Sequence, residues 1–190
     1  MSNANYDIAD IELAGEGYET SNWARRHMPV LESIRDRFEK EKPLNNVKVA
    51  ACLHITSETS NLVETLCAGG AEVHLCASNP ISTQDPITAH LVKQGVSVYA
   101  IHGEDLETYM AHCVQAISVK PHIVIDDFFN EDFLNEILSN FPNLKEQKKG
   151  EDTKHFDDKT GIKIVSIRHK TSNTCNLGAV KWVERKKRKP

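Results

Sequence analysis

A run of polar side chains follows the apolar segment at residues 47–53. It begins with the imidazole of His54 and continues with hydroxyls and a carboxylate at residues 56–60. A turn that only reverses the chain is made more easily from Gly, Asn or Pro. Imidazole, hydroxyl and carboxyl groups can instead donate and accept hydrogen bonds with a bound molecule. The segment therefore indicates a binding site for a polar small molecule.

Three further polar segments also follow predicted strands directly. They are residues 78–85, residues 102–104 and the pair Asp126-Asp127. In a parallel sheet, all strand-to-helix turns meet at one edge, where ligands bind near a topological switch point. Together with residues 54–59, they favour a ligand with hydroxyls and an amino group. Polar loops also keep such a sheet soluble, so each turn alone has a structural explanation as well.

The alternation of apolar segments and helical patterns predicts the elements that position these turns. Strands are predicted at residues 47–53, 71–76, 96–101 and 122–125. Helices are predicted at residues 60–68, 84–93, 106–117 and 131–141. This order is typical of an α/β fold with a doubly wound, mainly parallel sheet of four or five strands flanked by helices. We expect right-handed crossovers.

An amphipathic pattern from Thr20 to Phe38 predicts a helix with Thr20 or Ser21 as N-cap, and Pro29 predicts a kink or two abutting helices. We expect a loosely held N-terminal arm over residues 1–19, the sheet domain over residues 20–146 and a divergent tail over residues 147–190. Within that tail, residues 162–167 (IKIVSI) are compatible with one more strand.

Composition limits the class of protein. The chain has 190 residues, of which 39% are hydrophobic, and no apolar run approaches the roughly 18 residues of a membrane span. With no apolar leader, and with five cysteines in no disulfide or metal pattern, we expect free thiols in the cytoplasm and no membrane partner.

The charge is unevenly distributed. The net charge is −4, although residues 181–190 contain six Lys or Arg and one Glu. An acidic body with a short basic end predicts no nucleic-acid partner. The basic end is compatible with a solvated terminus, a localisation signal or a weak polyanion contact.

Several motifs resemble one enzyme family. They are CLHITSET at residues 52–59, LVETL at 62–66, GAEV at 70–73, NPISTQD at 79–85, GVSVYA at 95–100 and IDD at 125–127. In one register from residue 6 to residue 146, the sequence resembles the S-adenosylhomocysteine hydrolases of the methyl cycle. The resemblance implies a Rossmann-like substrate-binding domain, followed in the family by an NAD-binding Rossmann domain. It also implies hydrolysis of S-adenosylhomocysteine to adenosine and homocysteine.

The resemblance assigns roles to residues of this chain. Thr56 and Glu58 would hold the adenine side of the substrate. His54 would orient groups or transfer protons near the ribose, and Asp127 would be an acid that hydrogen-bonds the substrate there. Further pocket residues implied by the match are Ser82, Thr83 and Gln84.

The sequence departs from the family pattern after Asp127. Phe128 and Phe129 stand where the family has a glycine-rich turn. The segment at residues 153–161 can be read as a shortened form of the segment that carries the family's catalytic lysine and aspartate, which would assign those roles to Lys154 and Asp157. It can also be read as an eroded copy of an earlier family segment, or as a chance likeness in a charged loop.

The cofactor motif is missing as well. Gly15-Glu16-Gly17 lacks the third glycine and the preceding strand of a dinucleotide-binding turn. NAD is the family's cofactor, but we expect that this chain alone does not bind it and is inactive in isolation. We expect either a homo-oligomer or a partner chain, and the partner chain would supply an NAD domain. Two alternatives remain: a non-catalytic nucleoside-binding or regulatory module, and a scaffold that pairs with a full-length hydrolase.

Overall fold

The computed structural model describes residues 5–126, 144–149, 152–157 and 163–166, the last three ranges as backbone only. The strands in these residues are β1 (Asp7–Ile8), β2 (Lys48–Leu53), β3 (Glu72–Ala77), β4 (Ser97–Ala100), β5 (Ile123–Asp126), β6 (Leu144–Lys149), β7 (Asp152–Asp157) and β8 (Lys163–Ser166). The α-helices are α1 (Ala14–Arg25), α2 (Pro29–Glu41), α3 (Ser57–Ala68), α4 (Asp85–Lys93) and α5 (Leu106–Ile117).

The strands form one sheet in the order β1-β4-β3-β2-β5-β8-β7-β6. Each neighbouring pair from β1 to β8 in this order is parallel, while β7 is antiparallel to both β8 and β6. The predicted α/β class with a mainly parallel sheet is therefore confirmed. The sheet is larger than the four or five strands expected, because β1 and the strands after residue 143 extend it at both edges.

Helices cover both faces of the sheet, and alternate residues of β2, β3 and β4 supply two apolar cores. On β2, Val49, Ala51 and Leu53 face a core that also contains residues of α2, α3 and α4. Ala50 and Cys52 face the opposite core, which α5 covers. Burial on both faces explains why the strands read as continuous apolar runs. The described cysteines, at positions 52, 67, 76 and 113, form no disulfide with one another.

Helix α1 begins at Ala14, so the predicted start at Thr20 was wrong. The Asp10 side chain caps a 3₁₀ turn at Ile11–Leu13 by accepting a hydrogen bond from the Glu12 N–H at 2.9 Å, and α1 follows directly. Gly17 discourages a helix in the sequence, yet the fold requires it there. A Cβ at this position would lie 1.8 Å from the carbonyl oxygen of Pro86, where α1 packs on α4.

The remaining differences lie near the chain ends. β1 and the first turns of α1 lie within residues 1–19, where we expected a loose arm. Pro29 begins α2, so two abutting helices are present. β8 corresponds to the possible extra strand at residues 162–167, whereas the β6–β7 hairpin was not foreseen. The predicted helix at residues 131–141 lies outside the described residues.

A buried ion network fixes the helices of one face to α3. Glu64 on α3 accepts hydrogen bonds from Arg25 on α1 and, at 2.8 Å, from His90 on α4. Arg35 on α2 approaches the same carboxylate at 3.2 Å. Burial raises the pKa of Glu64, but the hydrogen bond from His90 and the positive charges around it outweigh burial and hold the pKa below 4.5. The ionised side chain of Glu64 thereby connects α1, α2 and α4 to α3.

Candidate functional site

The carboxyl ends of β2, β3, β4 and β5 lie at the same edge of the sheet, because these strands are parallel neighbours. The turns that follow β2, β3 and β4 therefore lie side by side in the described residues. They are the polar segments singled out in the sequence. The edge is where α/β proteins of this kind bind ligands.

The β2–α3 turn places a carboxylate at a helix N-terminus. Thr56 is the N-cap of α3, and its Oγ1 accepts the Thr59 N–H at 3.5 Å. The same hydroxyl donates to Oε2 of Glu58 at 2.9 Å, and the Ser57 hydroxyl donates to this oxygen at 3.0 Å. Oε1 of Glu58 takes part in neither bond. The turn thus holds a carboxylate in a fixed orientation.

Glu58 is ionised at neutral pH. Burial of the carboxyl group raises its pKa, but hydrogen bonds from its own backbone N–H and from the hydroxyls of Thr56 and Ser57 outweigh burial. The pKa of Glu58 therefore lies below 4.5. An ionised carboxylate only accepts hydrogen bonds. Glu58 accordingly presents an acceptor to any group that reaches the edge.

His54 is held by residues that follow β3. Its Nδ1 lies 3.1 Å from the Ser78 hydroxyl and 3.4 Å from Nδ2 of Asn79. An amide N–H can only donate, so Nδ1 accepts and the neutral ring carries its proton on Nε2. The His54 carbonyl in turn accepts the Thr59 hydroxyl at 2.5 Å. The imidazole is therefore oriented by the turn that follows β3, and the His54 backbone is held by α3.

The β3–α4 loop carries the other pocket residues implied by the resemblance. The Ser82 hydroxyl donates to the Asn79 carbonyl at 3.0 Å, and the Gln84 N–H donates to the Ile55 carbonyl at 3.0 Å. The Gln84 side chain is exposed. Thr83 is buried, and its hydroxyl has no hydrogen-bond partner among the described residues. The loop is thus tied to the β2–α3 turn and contains one unsatisfied hydroxyl.

The β4–α5 turn holds this loop from its other side. The Gly103 N–H donates to the Pro80 carbonyl at 2.8 Å, and the His102 N–H donates to the Asp85 carboxylate at 2.9 Å. Nδ1 of His102 lies 2.9 Å from the Thr83 carbonyl, to which it donates because the carbonyl only accepts. Three bonds therefore fix the loop to the turn.

The catalytic residues implied by the resemblance are less closely grouped. Asp127 lies outside the described residues. Lys154 pairs with Val165, which is level with Ile125 near the site edge. Asp157 lies three residues further along β7, about 10 Å toward the opposite edge. The structure thus does not bring Lys154 and Asp157 together at this edge, and their catalytic roles remain predictions.

Sequence reasoning included Ser78 and Asn79 in a polar segment without giving either a role, and it gave none to Tyr109. Ser78 and Asn79 contact His54, and Tyr109 on α5 donates its hydroxyl to the Ser78 carbonyl at 3.1 Å. Ser78 and Asn79 directly follow a buried strand, and this position in the sequence indicates that they lie at the carboxyl edge of the sheet. Tyr109 belongs to a helical pattern, and nothing in that pattern indicates that it lies beneath this turn.

The described part of the chain offers no metal cluster and no membrane-spanning helix. It contains no cluster of three or more histidine, cysteine or acidic side chains able to hold a metal ion. None of its helices has the length and apolarity needed to cross a membrane.

Comparison with known proteins finds relatives for most of the chain. A family model described as S-adenosyl-L-homocysteine hydrolase matches residues 5–182. The chain is 49% identical over 146 residues to an adenosylhomocysteinase of Aquifex aeolicus, covering 76% of this chain and 34% of that protein. It is 43% identical over 150 residues to an S-inosyl-L-homocysteine hydrolase of Methanopyrus kandleri, covering 79% of this chain and 35% of that protein. This chain spans about a third of the length of these relatives, and it belongs to the S-adenosyl-L-homocysteine hydrolase family.

Proposed function

We propose that this chain is the substrate-binding part of an adenosylhomocysteinase and binds the adenosine portion of S-adenosylhomocysteine at the carboxyl edge of its sheet. The observation that carries the proposal is the ionised Glu58, whose carboxylate is oriented by the hydroxyls of Thr56 and Ser57. The imidazole of His54, oriented by Ser78, lies four residues earlier in the same segment between β2 and α3. A carboxylate and an oriented imidazole at one edge suit a nucleoside, which offers an amino group and ribose hydroxyls.

Glu58 also supports a choice between purine bases. Adenine has a donating amino group at the position where hypoxanthine has an accepting carbonyl. Because an ionised carboxylate only accepts, it favours adenine at this contact. A relative named S-inosyl-L-homocysteine hydrolase makes hypoxanthine the natural comparison. Adenosine is accordingly the proposed ligand, with inosine as the competitor to test.

The remaining roles follow the resemblance. His54 would hydrogen-bond or exchange protons near the ribose, since its ring is already oriented by Ser78 and Asn79. Asp127 would be the acid beside the ribose, and Ser82, Thr83 and Gln84 would line the pocket. The unsatisfied hydroxyl of Thr83 supports a ligand contact there, because buried hydroxyls in proteins nearly always have a partner.

The described residues do not fit NAD, the cofactor implied by the family. A pyrophosphate needs unobstructed backbone amides at a helix N-terminus after a glycine-rich turn. The first turns of α3, α4 and α5 instead contain Glu58, Asp85 and Glu107, whose negative charge repels an anion. We therefore propose that the chain by itself does not hold NAD and does not turn over S-adenosylhomocysteine. A partner chain that carries an NAD domain would supply the oxidant.

Calorimetric titration of adenosine and inosine into the purified chain tests the proposal. We expect adenosine to bind more tightly than inosine. Loss of a hydrogen bond to a charged group costs about 1.5–3 kcal/mol, so Glu58→Gln should weaken adenosine binding by about tenfold or more. Asp127→Asn should also weaken adenosine binding by about tenfold or more.

Glu107→Gln is the matched control, because Glu107 also lies in the first turn of a helix that follows a strand and is exposed. It should leave binding unchanged. Equal affinities for the unaltered chain and Glu58→Gln would contradict the proposed pocket. Binding of adenosine without any difference from inosine would contradict the role given to the carboxylate.

A further inference from the structure

The imidazole of His112 on α5 is buried between two carboxylates that come from different parts of the fold. Its Nδ1 lies 2.6 Å from Glu104, in the turn before α5, and its Nε2 lies 3.2 Å from Asp7 on β1. The side chains of His112 and Glu104 are each 1% exposed, whereas Asp7 is 56% exposed. These contacts are ion-pair approaches rather than well-aligned hydrogen bonds. A buried carboxylate against a buried imidazole is stable when the ring is protonated.

We propose that His112 is a positioning residue for the candidate site: as an imidazolium between Glu104 and Asp7, it fixes the β4–α5 turn and, through that turn, the β3–α4 loop. Deprotonation removes the charge that joins the two carboxylates and loosens both segments.

The connection from His112 to the loop passes through hydrogen bonds of the turn. Glu104 accepts the Ile101 N–H at 3.3 Å, which closes the turn on itself. The same turn then holds the loop through Gly103 and His102, whose bonds reach the backbone of Pro80 and Thr83. The loop that the proposed function assigns to the substrate is therefore fixed from the side of α5.

Helix α5 packs against β2, β3 and β4. The titratable side chains on this face of the sheet are the thiols and phenols of Cys52, Cys76, Cys113, Tyr99 and Tyr109. The buried imidazole of His74 on β3 also belongs to this face, where it stacks on Tyr99 and lies 3.0 Å from the carboxylate of Glu72. The carboxylates that face the ring are Glu104 from the turn and Asp7 from β1.

The electrostatics agree with the geometry. Burial lowers the pKa of His112, but the carboxylates of Glu104 and Asp7 outweigh burial and raise the pKa above 6.5. A group whose pKa is raised on folding contributes stability that is fully present below its unfolded value and is lost as the pH rises through the folded value. The turn should therefore be held most firmly below about pH 6.5 and should loosen at higher pH. At strongly acidic pH, protonation of the two carboxylates ends the effect.

Histidine titration by NMR tests the proposal. The ring resonance of His112 is followed in the unaltered chain, in Asp7→Asn and in Asp36→Asn, a control that removes an exposed carboxylate of α2. In Asp7→Asn we expect the His112 midpoint to fall by about half a pH unit or more. Asp36→Asn should leave it unchanged. The amide resonance of Gly103 should titrate with the same midpoint as His112 in each protein.

A midpoint at or below 6.5 in the unaltered chain, or one that Asp7→Asn does not move, would overturn the proposal. So would a Gly103 amide that does not follow His112. The Asp7→Asn variant keeps Glu104 and changes an exposed side chain, so it tests the ion pair without removing a buried group. Because the titration uses no nucleoside, its failure and a failure of the proposed function are separate results.

Discussion

The hydroxyl of Tyr109 donates a hydrogen bond to the carbonyl of Ser78 across 3.1 Å, from the helix beneath the sheet to the turn above β3. The side chain of the same Ser78 lies 3.1 Å from Nδ1 of His54. Tyr109 is buried, 3% exposed, and therefore supports the imidazole of the candidate site from within the core. Packing of Tyr109 on one face of the sheet therefore helps to position His54 at the edge of the sheet.

Tyr109→Phe should destabilise the chain, because it leaves a buried carbonyl without its hydrogen bond. The free energy of unfolding should fall by about 1–3 kcal/mol. Urea unfolding measures this change, and the NMR shift of the His54 ring should move as well. Tyr18→Phe is the matched control, since Tyr18 is 49% exposed and should have almost no effect. Equal losses in the two variants would contradict the role of Tyr109.

Thr56→Ala should destabilise α3 and raise the pKa of Glu58. Loss of the N-cap costs about 1 kcal/mol of stability, and loss of the hydroxyl that donates to Glu58 should raise the pKa of that carboxyl toward 4.5. Urea unfolding and carboxyl NMR titration measure the two effects. Thr20→Ala is the control, because the Thr20 hydroxyl bonds a carbonyl within α1 and caps no helix. An unchanged Glu58 titration would contradict this account of its pKa.

Glu64→Gln should remove the ionised centre of the helix network. Breaking a buried ion pair by removing one partner costs about 3–5 kcal/mol at neutral pH. The folded pKa of Glu64 is lowered, so its stabilisation is present above the unfolded value of 4.5 and is lost as the pH falls through the folded value. The variant should therefore lose less stability than the unaltered chain between pH 5 and pH 3. Glu39→Gln, at an exposed position on α2, should follow the unaltered chain, and an identical acid dependence in Glu64→Gln would refute the assignment.

The purified chain should contain no NAD and should release no homocysteine from S-adenosylhomocysteine, because its described helix N-termini carry acids where a pyrophosphate would bind. Nucleotide analysis of the denatured protein and a thiol assay with added NAD measure the two outcomes. Lys154→Ala, assayed in parallel, distinguishes turnover by this chain from a contaminant. Stoichiometric NAD, or turnover that this substitution abolishes in a folded protein, would contradict the prediction.

Much of the fold was predictable because it depends on local pattern. The apolar segments of β2, β3 and β4 and the helical repeat of α5 specify an α/β alternation, and the polar residues after each strand mark the carboxyl edge. The start of α1 was not predictable in this way. Gly17 lowers helix propensity, and its requirement arises from the close approach of Pro86, a residue far away in the sequence.

The sequence by itself determined the fold class, the edge where a ligand would bind and the polar residues His54, Thr56 and Glu58 at that edge. The tertiary structure alone decided what holds them. Ser78 reaches His54 across 24 positions of the chain, and His112 meets Asp7 only because β1 pairs with β4. Periodicity reports which face of an element is apolar, but not which distant element covers it. Contacts between polar side chains from different elements therefore appear only when the chain is folded.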